Sequence, residues 1–95
     1  MEDKKVLNDL SYFYKIFADA TRLRILDFLL SGEKSVSEIS EKLEISQSAA
    51  SHQLKTLRDS TLVKSTKEGQ TVKYYITDDH IKIILKYGLE HIREK

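Results

Sequence analysis

Apolar residues recur at spacings of three and four through the first turns of the chain, at Leu7, Leu10, Phe13, Tyr14 and Phe17. That period gathers them on one side of a helix from about Lys4 to Phe17. Core packing rather than ligand binding is the expected use of this stripe, although on a terminal helix it can equally be a dimer face. A second helix is read in "DATRLRILDFLLSG", with Leu23, Ile25, Leu26, Leu29 and Leu30 turned inward and Gly32 as its stop. Ser35 followed three residues later by Glu38 has the form of a capping box and opens a short helix to about Leu43. After the break "EIS", Ser46 is a natural N-cap for a helix over about 47–59.

The period then changes. "LVKSTKE" and "TVKYYIT" alternate apolar and polar positions and meet through "EGQ" around Gly69, which predicts a two-stranded hairpin within about 62–76. Thr77 or Asp78 can cap a last helix over about 78–93. The order α-α-α-α-β-β-α, mainly helical with a hairpin wing, is that of one winged helix-turn-helix domain spanning 1–95. Its first and last helices are expected to form the dimer contact, because a chain of 95 residues gains from burying further surface against a partner.

Composition narrows the chemistry. The absence of cysteine excludes disulfides and thiolate metal sites, so any metal must be held by nitrogen and oxygen. "MEDKKVLNDL" has no apolar signal core and the other apolar runs are too short for a bilayer, so a cytoplasmic protein with no membrane partner is expected. The net charge of +1 hides a polarity along the chain. Residues 47–73 carry five basic side chains against two acids, whereas residues 27–44 carry five acids against two lysines. A polyanion-binding face in the second half fits that split.

The helix over 47–59 has the makings of a reading head. Short hydrogen-bonding side chains suit a helix entering the major groove, where long apolar ones would lose water without gaining partners. Gln47 suits an adenine edge, Ser48, Ser51 and His52 suit bases or phosphates, and Ala49 and Ala50 leave room for close approach. Leu54 and Leu57 face the other way. Lys55, Arg58 and Lys64 are placed to meet flanking phosphates, while Lys67, Gln70 and Lys73 belong to the wing. No nucleophile with an adjacent base and no phosphate loop is present, so an enzyme is not expected, nor is an organic cofactor.

"DATRLRILDFLL" and "SQSAASHQLKTL", with the hairpin and closing helix around them, resemble the ArsR/SmtB family of metal-responsive repressors over nearly the whole chain. The resemblance implies a homodimer on a twofold-symmetric double-stranded DNA operator, released when an inducer binds. One family sensing site uses a Cys-Val-Cys pattern where this chain has Ser35, Val36 and Ser37, and hydroxyls are poor ligands for soft metals. The other family site lies on the last helix, and Asp78, His80, His91 and Glu94 match its pattern at every spacing.

Geometry restricts what that spacing can do. Eleven residues are nearly three helical turns, so His80 and His91 share a face but stand about 16 Å apart along the axis. One ion cannot bind both within one chain. Two antiparallel last helices would instead bring Asp78 and His80 of one copy to His91 and Glu94 of the other, provided Asp78 sits at the non-helical cap. Such a set suits zinc, with cobalt or nickel as alternatives. Ile81, Ile84, Leu85, Gly88 and Ile92 are the expected pairing stripe, and the family suggests an outer-shell bond from His91 to a backbone carbonyl near Thr61. A metal-independent regulator of the same family and a zinc-stapled protein-interaction dimer remain the alternatives.

Overall fold

A computed structural model describes residues 1–94. Five helices and a small antiparallel sheet follow in the order α1 (Lys4–Phe17), α2 (Ala20–Leu29), β1 (Lys34–Ser35), α3 (Val36–Leu43), α4 (Gln47–Asp59), β2 (Val63–Glu68), β3 (Thr71–Ile76) and α5 (Asp79–Arg93). The architecture is a winged helix-turn-helix with one strand more than the hydrophobic pattern predicted. β1 is only two residues long, too short for any alternation to register, and it pairs with β3 through Lys34↔Tyr74 and Ser35↔Lys73. β3 is therefore the central strand of the order β1-β3-β2. The wing itself runs from Val63↔Ile76 to Glu68↔Thr71, and Gly69 supplies the positive φ of 61° that its two-residue turn requires.

Polar side chains define the helix starts. Asp19 accepts from the Arg22 amide at 3.0 Å, Ser46 from the Ala49 amide at 3.0 Å and Asp78 from the Ile81 amide at 3.3 Å. At α3 both halves of the predicted capping box are formed, Glu38 N–H to Ser35 Oγ at 3.1 Å and Ser35 N–H to Glu38 Oε1 at 2.9 Å. That second bond holds the Glu38 carboxyl below the usual carboxylate range. Between α3 and α4 the chain turns through Glu44 in the left-handed region, φ 57°. The turn is pinned by Ile45 N–H to the Ser40 carbonyl and by Arg24, whose Nη2 donates to the Leu43 carbonyl at 3.1 Å.

The core lies where α2, α3, α4 and the base of the wing converge, with Ile25, Leu26, Ile39, Leu54, Leu57, Leu62 and Val63 its fully buried large side chains. Two expectations about burial are corrected here, for Leu23 and for α5, and the α1 stripe has residues for both uses left open for it. Leu23 does not face inward; it is 40% exposed, because Ile25, Leu26 and Leu29 already fill the inner face of α2. The α1 stripe divides: Phe17 is buried and Phe13 packs against the core, while Leu7, Leu10 and Tyr14 remain exposed. On α5, Ile81 and Leu85 are buried within their own chain and are not free to pair with another copy, whereas Ile84 is half-buried and Ile92 exposed. A Cα radius of gyration of 14.3 Å exceeds the roughly 12 Å of a compact domain this size, and the molecule extends over 48 × 33 × 22 Å.

Candidate functional site

α4 presents two chemically different sides. Ala50, Leu54 and Leu57 are fully buried and fasten the helix to the core. Ala50 therefore cannot offer the close approach expected of it, although its neighbour Ala49 is exposed. Gln47, Ser48, Ser51, His52, Lys55 and Arg58 all stand on the exposed side. Because the leucines are locked, that polar side is held rigidly outward, as a groove-reading helix needs.

The flanking cations are not equivalent. Lys64 and Lys67 are exposed on β2, and Gln70 sits exposed at the wing turn. Lys55 already forms an ion pair with Asp59 at 2.9 Å, one turn along α4. Lys73 lies in the central strand, half-buried between Ser35 and Thr66, and its charge acts on Glu38 instead of standing at the wing tip.

Two anchoring contacts were invisible in the sequence. Arg22, with a side chain only 18% exposed, donates Nε–H to the Ile16 carbonyl at 2.8 Å and Nη1–H to Gln53 Oε1 at 3.3 Å, and it lies 3.8 Å from Asp19. One guanidinium thus joins the end of α1, the cap of α2 and the middle of α4. At the start of α4, Gln47 Nε2 donates to Ser37 Oγ of α3 at 3.1 Å. No local pattern could have signalled either bond, since the partners are 31 and 10 residues apart.

The four candidate ligands sit at the two ends of α5. Asp78 has the extended conformation, φ −155° and ψ 175°, that lets it approach His80, and its Oδ1 lies 3.6 Å from His80 Nδ1. His80 is 90% exposed on its side chain. His91 and Glu94 are exposed near the other end of the helix. Among the described residues of one chain, no three His, Asp or Glu side chains come together to hold a metal. The candidate donors thus stand apart, Asp78 beside His80 at one end of α5 and exposed His91 and Glu94 toward the other.

His91 borders a shallow apolar groove of about 490 Å³ between α1, α2 and α5, lined by Tyr14, Leu23, Ile84 and Ile92 among others. No hydrogen bond joins His91 to the Thr61 carbonyl among the described residues. Thr61 instead takes a left-handed φ of 63°, and its hydroxyl donates to the Ser60 carbonyl. The backbone link from the α4 end to the start of α5 runs one residue later, from Thr77 N–H to the Leu62 carbonyl at 3.0 Å.

Comparison with known proteins gives a consistent family. Residues 19–65 match the model described as bacterial regulatory protein, arsR family. A transcriptional repressor SmtB homolog of Synechocystis sp. is 34% identical over 82 residues, covering 86% of this chain but 62% of that protein. The transcriptional activator HlyU of Vibrio cholerae is 44% identical over 72 residues, covering 76% of this chain and 67% of that protein. Among solved structures, a homodimeric winged helix-turn-helix DNA-binding domain from Mycobacterium bovis, a possible ArsR-family regulator, superposes with a TM-score of 0.88. It is 27% identical, with 99% of this chain and 89% of that chain covered.

Proposed function

Because this chain belongs to the bacterial arsR family of regulatory proteins, we propose that it is a transcriptional regulator, and specifically a homodimeric repressor that binds a palindromic DNA operator and is released by zinc. The observation that carries the DNA reading is the sidedness of α4. Its buried leucines fix an exposed row of Gln47, Ser48, Ser51 and His52, and exposed Arg58, Lys64 and Lys67 stand nearby in the chain to meet phosphates. Relatives of this chain include a repressor and an activator, so repression rests on the likeness to the repressors and release by zinc on the metal argument.

Support for that argument comes from the donor pairs on α5. Asp78 and His80 from one copy, with His91 and Glu94 from the other, would hold zinc, which when bound fastens two copies in one relative orientation. The exposed residues Leu7, Leu10 and Tyr14 of α1 and Ile92 of α5, with the groove that Tyr14 and Ile92 help to line, provide apolar surface for the second copy. Effects are reciprocal: if zinc weakens operator binding, operator weakens zinc binding by the same factor. Titrating zinc into the protein–operator complex, with calorimetry on the free protein, tests the proposal. Release at one zinc per chain is expected, and His80→Ala or His91→Ala should bind operator but ignore zinc. Release of those variants by zinc would exclude this site as the sensor.

A second reading, a regulator of the same family with no metal control, draws on the capping bond from Ile81 to Asp78. That bond gives Asp78 a purely structural use. Unaltered operator affinity across titrations of zinc, cobalt and nickel would favour it. A zinc-stapled interaction module would bind zinc but show no sequence-specific, salt-dependent DNA binding.

A further inference from the structure

We infer that Ser37, a residue of α3 that is not itself a base-contacting candidate, determines sequence specificity by holding the amide of Gln47. The inference rests on α4 being the base-reading helix. Gln47 is the first residue of α4 and its Nε2 donates to Ser37 Oγ across the helix-turn-helix at 3.1 Å. Both side chains are exposed, but the backbones that carry them are fastened. Ser37 stands between the Ser35 capping box and fully buried Ile39, and Gln47 follows the Ser46 cap, three residues before fully buried Ala50.

The donor count gives the tether its consequence. A glutamine amide has two N–H donors and a carbonyl acceptor. We take the N–H given to Ser37 to be the one turned away from the carbonyl, which leaves one donor beside one acceptor. That pair complements the N7 acceptor and N6 donor on the major-groove edge of adenine. An untethered glutamine can swing its amide among several rotamers, whereas the bond to Ser37 holds the amide group at one place beside the start of α4. Ser37 thereby lowers the ordering cost of the contact and sets where the amide meets the base.

The test uses the duplex that the wild-type protein enriches from a random-sequence pool, together with versions substituted at each position of the half-site. Gln47→Ala should lose about tenfold in affinity and lose its base preference at one adenine position, the size expected for one bidentate contact. Ser37→Ala should lose about three- to fivefold on the enriched duplex and flatten the preference at that same position only, with no change in melting temperature. Ser37→Thr, which keeps the hydroxyl, should restore both, and the double variant should bind no worse than Gln47→Ala. If Ser37→Ala discriminates bases like wild type while Gln47→Ala does not, the inference is overturned. If Gln47→Ala leaves the preference intact, the inference falls with Gln47's role as a base reader, although α4 can still bind DNA through its other residues. If no duplex is enriched, the DNA-binding reading itself fails.

Discussion

Replacing Arg22 by alanine should cost the fold about 3 kcal/mol, because one side chain ties three elements together. Its bond to the Ile16 carbonyl is short, at 2.8 Å, and charge-assisted, a class with a net contribution of roughly 1.5–3 kcal/mol. The bond to Gln53, at 3.3 Å, is longer and contributes about 1 kcal/mol or less. The 3.8 Å approach to Asp19 adds little, since that carboxylate is partly exposed and already caps α2. Against a total of roughly 5–14 kcal/mol for 95 residues, the loss would be large.

Urea unfolding followed by circular dichroism reads it directly, at one fixed protomer concentration because association would add to the apparent stability. Arg22→Lys should recover part of the loss, since an ammonium on a flexible stem cannot reproduce the forked guanidinium. A cycle with Gln53→Ala should return a coupling of about 0.5–1 kcal/mol. A loss below about 1 kcal/mol for Arg22→Ala, or a lysine variant as stable as wild type, would refute the reasoning that one guanidinium locks α1 to α4.

Leu54→Ala empties a fully buried position and should cost about 2–5 kcal/mol in the same assay. Leu10→Ala, on the exposed part of α1, should instead weaken self-association seen by sedimentation, with little effect on the unfolding of the monomer. Glu38 has its folded-state pKa lowered, chiefly by the Ser35 amide bond. Its contribution is therefore present above the ordinary value of about 4.3 and lost as pH falls through the lowered one; Glu38→Gln should remove that part of the acid-side slope in urea midpoints. If Lys55, Arg58, Lys64 and Lys67 of both copies meet phosphates, operator affinity should fall with log salt at a slope of about −7, and a slope shallower than about −3 would argue against that face.

Much of the fold was legible because the signals are local. The capping box at Ser35, the Ser46 cap and the change from helical to alternating period each act within a few residues, and the helices and hairpin stand where those signals put them. Burial was less legible. Periodicity shows that α1, α2 and α5 have apolar faces but not how much of each the chain covers by itself, so it does not tell exposed Leu23 from buried Ile81. β1 was missed because a two-residue strand has no period at all. For the candidate site, residue type and spacing picked out the α4 row that the structure exposes, whereas the four α5 residues came from the resemblance to the family's pattern. The bonds that orient them, Arg22 to Gln53 and Ser37 to Gln47, depend on tertiary folding and leave no mark in local sequence.

The small strand β1 divides the hairpin into two mechanical zones. Midway along it, Lys73 and Tyr74 are paired on both sides, and one of the partners, Ser35, also caps α3. A single inserted residue there would slip the register and pull the cap from its helix. Toward the tip, Thr71 and Val72 pair only with β2, so the loop around Gly69 can lengthen in steps of two without disturbing the helix-turn-helix. The reach of the wing over a nucleic acid is thus free to be tuned by grafting longer tips, while the aim of α4 stays fixed.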